Sequence, residues 1–178
     1  MVTPMTRHGE PPRRPARSRQ AGPAAATDGV RALAILQQAS DLVAGTGCDC
    51  STECCRFGVT GREPWVTRAE WDVIVAAVRR QGRRLPVVDD GDDRDDDEGR
   101  CPFLAVDDAD PARGRCRIYD ARPLGCRTFF CERAVHADGR RGRLPTPTLR
   151  ALRPLAGDLA MLAPGTESRP LRSWLRSA

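Results

Sequence analysis

Apolar residues recur at near-helical spacing in three stretches of the chain. In "TDGVRALAILQQASDLVAG" (27–45), Val30, Leu33, Leu36, Leu42 and Val43 share a face, Thr27 or Asp28 offers a cap, and Gly45 ends the pattern. In "VTRAEWDVIVAAVRRQG" (66–82), Thr67 and Glu70 have the spacing of a capping box, and Trp71, Ile74, Val75 and Val78 line one side before Gly82. The stretch "LPTPTLRALRPLAGDLAMLAPG" repeats Leu149, Leu152, Leu155, Leu159 and Leu162, with Pro154 expected to break or kink the helix. The final "RPLRSWLRSA" predicts a short helix burying Trp174 and Leu175. Between these, "CPFLAVDDADPARGRCRIYD" predicts strands at 102–106 and 115–119 joined by an Asp/Pro/Gly-rich loop, and "ARPLGCRTFFCERAVH" turns at Pro123 and Gly125.

Two stretches lack any periodicity. Residues 1–26 are rich in Pro, Arg, Ala and Gly and predict a disordered tail; residues 87–100, "VVDDGDDRDDDEGR", predict a solvated acidic loop. That loop does not read as a calcium site, because neither Gly91 nor Gly99 has the required acidic positions before it together with Glu six places later. The expected organisation is one domain over 27–163 with a C-terminal extension at 164–178. Its expected fold class is α+β, mainly α: a small, irregular, Cys-rich, metal-centred domain with several helices and one short β-hairpin. No apolar run follows the basic N-terminus as in a secretory signal, and no segment approaches the ~20 apolar residues of a membrane span. The expectation is therefore a cytosolic protein with no membrane partner.

Composition removes whole classes of chemistry. All 29 basic residues are Arg, which gives a net charge of +5 and reads as a composition-wide bias rather than a binding patch. Without lysine there is no P-loop Gly-Lys-Ser/Thr, no Schiff-base lysine and no lysine general base. Only eight aromatic residues (three Trp, one Tyr, four Phe) are available to build a core, so area burial alone leaves stability thin. A metal site is one physical way to supply the difference.

The eight cysteines fall into two sets of four. Cys48, Cys50, Cys54 and Cys55 crowd into "GCDCSTECCRFGVTGREPW", and Cys101, Cys116, Cys126 and Cys131 follow downstream. In a reducing compartment such clusters favour metal or redox chemistry over a disulfide framework. Thiolate sulfur selects zinc or iron–sulfur, and eight sulfurs suffice for two centres or for one with spares. Adjacent Cys54 and Cys55 cannot point the same way in an extended segment, so they either bend around one centre in a turn or serve different partners. A centre with four thiolates is anionic, and Arg56, Arg115, Arg117, Arg122, Arg127 and Arg133 are interleaved with the cysteines, where they could offset charge and donate N–H to sulfur.

Taken together, "CDCSTECCRFGVTGREP", "CPFLAVDD" and "GRCRIYDARPLGCRTFFC" resemble the YkgJ family of cysteine-cluster proteins, described as a zinc- or iron-chelating domain; the resemblance covers residues 45–135. The family's first motif, Cys-x2-Cys-x2-Cys-Cys, would put a cysteine at position 51, where this chain has Ser51, with Cys50 one place early. The resemblance implies that Cys48, Cys54, Cys55, Cys101, Cys116 and Cys126 bind metal, with Cys131 a further member. It implies as cofactor an iron–sulfur cluster, [4Fe-4S] by preference, or zinc. Arg122 and Arg127 are the expected cofactor-contacting arginines. The expected function is metal chelation or a structural or redox role of that centre. One alternative is an iron–sulfur-dependent methyltransferase-like enzyme resembling the flagellin lysine methylase branch; another is a zinc-stabilised, Arg-rich interaction module for acidic partners.

Smaller signals rank lower. His136 lies at zinc-ligand spacing from Cys131 but reads first as a surface residue, and Tyr119 as packing beside the cluster. Trp65 and Trp71 read as core, and Asp120 and Glu132 as solvated. "GRRGR" at 139–143 could touch phosphates but lacks aromatic interleaving, which ranks nucleic acid below metal.

Overall fold

A computed structural model of the chain describes residues 23–47, 52–88, 99–110, 112–130, 132–163 and 168–178, with the side chains of 23–27 left aside. Cys48, Cys50, Cys131, residues 1–22 of the expected tail and most of the acidic loop lie outside the described residues. The described chain is α+β and mainly helical: helices α1 (Pro23–Leu42), α2 (Phe57–Thr60), α3 (Arg68–Arg80), α4 (Leu124–Thr128), α5 (Thr146–Met161) and α6 (Leu171–Arg176) dominate. Strands β1 (Thr46–Gly47), β2 (Trp65–Val66), β3 (Leu104–Val106), β4 (Gly114–Cys116), β5 (Val135–His136) and β6 (Arg169–Pro170) pair as three two-stranded antiparallel ladders, β1–β5, β2–β6 and β3–β4. Only β3–β4 is the expected hairpin, shorter than predicted. The other two ladders join segments roughly a hundred residues apart, and two-residue strands carry no periodicity to read.

The first helix differs from its sequence pattern. It begins at Pro23, inside the expected tail, and runs through Thr27 and Asp28 rather than being capped by them. Proline is tolerated in a first turn, and the three alanines that follow are the best helix formers. Its buried face is Ala32, Leu36, Ala39 and Val43, while Val30, Leu33 and Leu42 are exposed. This face packs on α3 and α5, where the two alanines take little room, and Val30, Leu33 and Leu42 turn outward.

Helix α3 forms as its sequence dictates. The Thr67 hydroxyl accepts from the Glu70 N–H while the Glu70 carboxylate accepts from the Thr67 N–H (2.8 Å), and Trp71, Ile74 and Val78 are buried. Trp71 stacks on Trp174 of α6 at 5.8 Å between ring centres and 14° between planes, and the Trp174 indole donates to the Val66 carbonyl (2.9 Å). Leu171, Trp174 and Leu175 thus belong to the main core, as expected for Trp174 and Leu175. Trp65, expected inside, is 64 % exposed because it faces away along β2 while Val66 faces in.

Helix α5 runs unbroken through Pro154. The carbonyl that loses its helical partner belongs to Arg150, which like Pro154 is exposed, so water can serve it. Leu152, Leu155, Leu159 and Leu162 are buried, whereas Leu149 is exposed. Among the described residues no helix is long and apolar enough to cross a membrane.

Candidate functional site

Thr52 anchors the segment that carries the first described cysteines. It is buried, and both its N–H and its hydroxyl donate to the Ala112 carbonyl in the β3–β4 loop, each at 3.2 Å. From there Glu53–Cys55 closes a 3₁₀ turn, with the Cys55 N–H on the Thr52 carbonyl (2.9 Å) and the Arg56 N–H on the Glu53 carbonyl (3.0 Å). The turn brings adjacent side chains to one side: Cys54 Sγ and Cys55 Sγ lie 3.8 Å apart. The two thiols do not alternate as they would in an extended segment.

The second segment is pinned to the first. The Cys101 N–H donates to the Cys55 carbonyl at 2.7 Å, and Arg100 bridges Arg56 in antiparallel register. This closeness needs Gly99, which has φ +65° and where a Cβ would meet the Gly58 nitrogen at 2.8 Å. Cys116 ends β4 opposite Leu104, and Cys126 lies within α4. Helix α4 is itself held by Glu70, whose second carboxylate oxygen accepts from the Leu124 N–H (2.8 Å). Glu70 is therefore both a helix cap and the tie that places the Cys126 helix. Its capping role is written in its spacing to Thr67; its second role depends on a contact 54 residues away.

Cys54, Cys55, Cys101, Cys116 and Cys126 form one electrostatic neighbourhood. The hydrogen bond between the two thiols pulls the Cys54 thiol down to about 7, with Arg122 assisting against burial. Cys55 is correspondingly held protonated, first by that hydrogen bond, then by burial and by the charges of Cys54, Cys101 and Cys116. Burial pushes Cys101 up to about 12 and raises Cys116 and Cys126, with neighbouring thiolates adding to each. Cys54 is exposed and Cys101 buried. Among the described residues, no group of three or more His, Cys, Asp or Glu side chains is arranged to hold a metal ion.

One consequence is kinetic. In the reduced, metal-free protein, iodoacetamide should alkylate Cys54 before Cys55, Cys101, Cys116 or Cys126. Its rate should level off above pH about 7, where Cys54 is already thiolate, while that of Cys101 still climbs towards 12. Peptide mapping at successive times checks this, and earlier labelling of Cys101 would contradict it.

The two arginines part company. Arg122 lowers Cys54, Cys116 and Cys126 electrostatically, and its guanidinium lies 3.6 Å from the Tyr119 ring centre. Tyr119 itself is 59 % exposed rather than packed inside. Arg127 lies buried and donates to the Arg122 carbonyl (2.7 Å), the Ser40 hydroxyl (2.5 Å) and the Asp120 carbonyl. It contributes charge to Cys116, but these donors serve the fold instead of sulfur. His136 is likewise engaged: Nδ1 meets the Thr46 hydroxyl at 3.1 Å, and Nε2 meets the carbonyls of Gly142 (3.1 Å) and Arg143 (3.2 Å). Glu132 pairs with Arg143 (2.9 Å), and Arg133 with Glu53 (2.8 Å) beside the 3₁₀ turn.

Comparison with known proteins found no matching family model, no matching curated protein and no matching solved structure.

Proposed function

We propose that the chain is a metal-binding cysteine-cluster protein that holds zinc or an iron–sulfur centre through thiolates, acting in a reducing compartment. The observation that carries this reading is the Cys54–Cys55 pair. Four sulfurs at about 2.3 Å from a tetrahedral ion lie about 3.8 Å from one another, and these two sulfurs are 3.8 Å apart. Cys101, Cys116 and Cys126 supply further donors from the same neighbourhood, and their neutral, buried thiols would give up protons to the metal on binding. Cys48 and Cys131 remain candidate ligands through the family resemblance, and Cys50 through its place in the first cysteine cluster. Arg122 supplies the offsetting charge at three of these thiols. When bound, such a centre supplies a cross-link between distant segments or, for iron–sulfur, an electron-transfer couple.

The experiment is anaerobic purification followed by assay of iron, zinc and acid-labile sulfide per chain, with the visible spectrum. The expected result is stoichiometric metal in the wild type and its loss in Cys55→Ser. Brown protein with sulfide selects iron–sulfur; colourless protein with zinc selects zinc. No metal, even after anaerobic reconstitution, overturns the reading.

A further inference from the structure

We propose that Cys54 and Cys55 form a capture site for monosubstituted trivalent arsenic, a thiophile that bonds two sulfurs and keeps one organic arm. The geometry suits a single bridging atom better than direct closure. A disulfide needs its sulfurs at about 2.05 Å and its Cα atoms at about 4.4–6.8 Å, whereas neighbouring residues are held at about 3.8 Å by their trans peptide. The sulfurs here stand 3.8 Å apart on one side of the 3₁₀ turn, a gap that one atom bonded to both can span. Access fits as well: Cys54 is exposed and Cys55 half-buried, so an arsenic atom bridging them can leave its organic arm in solvent. The valence fits too. An ion that needs four donors must recruit sulfurs beyond this pair, since no three donors converge among the described residues. An organoarsenic centre needs only two.

The step balances without an oxidant. An arsonous acid, R–As(OH)₂, exchanges its two hydroxyls for two cysteine sulfurs; two As–O bonds break, two As–S bonds form, and the two thiol protons leave with the hydroxyls as two waters. Arsenic stays trivalent. This site shares its sulfurs with the proposed metal centre but requires neither metal nor the remaining cysteines.

The test titrates the reduced, metal-free full-length chain with phenylarsine oxide, which hydrates to the arsonous acid. Intact mass spectrometry is expected to show one phenylarsenic group per chain at one equivalent, and peptide mapping to place it on Cys54 and Cys55. The adduct should survive excess monothiol and be removed by a 1,2-dithiol. Cys54→Ser and Cys55→Ser should each weaken binding roughly 100-fold, because the second attachment is made at high effective concentration. An adduct on any other cysteine pair of the wild type overturns the proposal whether or not the variants fold. So does undiminished binding by a variant whose tryptophan emission is native. The two readings fail separately: a chain that takes no metal on reconstitution can still give the mapped adduct, and a metal-binding chain can give it elsewhere or not at all.

Discussion

Arg127→Ala is expected to destabilise the metal-free protein by about 2–4 kcal/mol, from the loss of three part-buried hydrogen bonds and the packing of a buried side chain. The side chain is only 5 % exposed, and its three donors reach three different places: the Ser40 hydroxyl on α1, the Asp120 carbonyl in the 119–121 turn, and the Arg122 carbonyl just before α4. Truncation takes the donor from two part-buried carbonyls and opens a cavity beside Cys126, and each hydrogen bond from a charged donor is worth about 1.5–3 kcal/mol. Burial lowers the affinity of Arg127 for its proton, so part of the gain offsets the cost of holding a charge there. Arg127→Lys should recover less than half of the loss, because one ammonium cannot fork to three acceptors in different directions. Urea midpoints at unchanged slope are the measurement. A loss below about 1 kcal/mol, or full rescue by Lys, would show that the network is dispensable. If Arg127 served mainly a bound centre, the metal-free protein would hardly notice its removal, so the same data separate a fold-holding arginine from a cofactor-holding one.

How much of this could be read along the chain varies with the range of the forces involved. Helix α3 was legible because its signals are local: a capping box and a repeating face specify both its start and its buried side. The face of α1 was legible only in part: Leu36 and Val43 are buried as expected, but Ala32 and Ala39 share that face in place of Val30, Leu33 and Leu42, because periodicity weighs size where close packing needs smallness. Pro154 misleads in the same way, since the cost of its missing N–H depends on whether Arg150 is exposed. The cysteines announced themselves by number and spacing. That Cys54 and Cys55 point the same way did not, because the 3₁₀ turn is held by Thr52 on Ala112 and by Cys101 on Cys55, contacts 60 and 46 residues long. Arg122 and Arg127 look equivalent in "DARPLGCRTFF" and differ only in what surrounds them.

Stripping metal from the loaded protein should be the larger perturbation, on the reading that Cys54, Cys55 and their neighbours hold it. Zinc contributes about 10–16 kcal/mol of apparent binding free energy in peptides that are unfolded without it. This chain also has an apolar core, in which Leu36, Ile74, Val66, Leu159 and Leu171 are fully buried, so the contribution is expected to be smaller. A loss of about 5 kcal/mol, or a melting temperature lower by roughly 10–20 °C, is the expected scale. Hydrogen exchange should localise the loss to 52–60 and 99–106, where Gly99, Arg100 and Cys101 lean on the 3₁₀ turn, while α1 and α3 keep their protection. The two forms should also differ in their response to pH above about 9. In the metal-free protein Cys101 holds its proton up to about 12 against an ordinary 9.0, so the unfolded chain binds fewer protons between those values and stability falls as pH rises through them. In the loaded protein the ligating thiols have already lost their protons and the unfolded chain loses its own near 9, so stability rises up to pH about 9 and is level between there and 12. Urea midpoints of both forms across that range decide the matter: parallel slopes, or a melting temperature indifferent to the chelator, would mean that metal makes no contribution to holding these segments together.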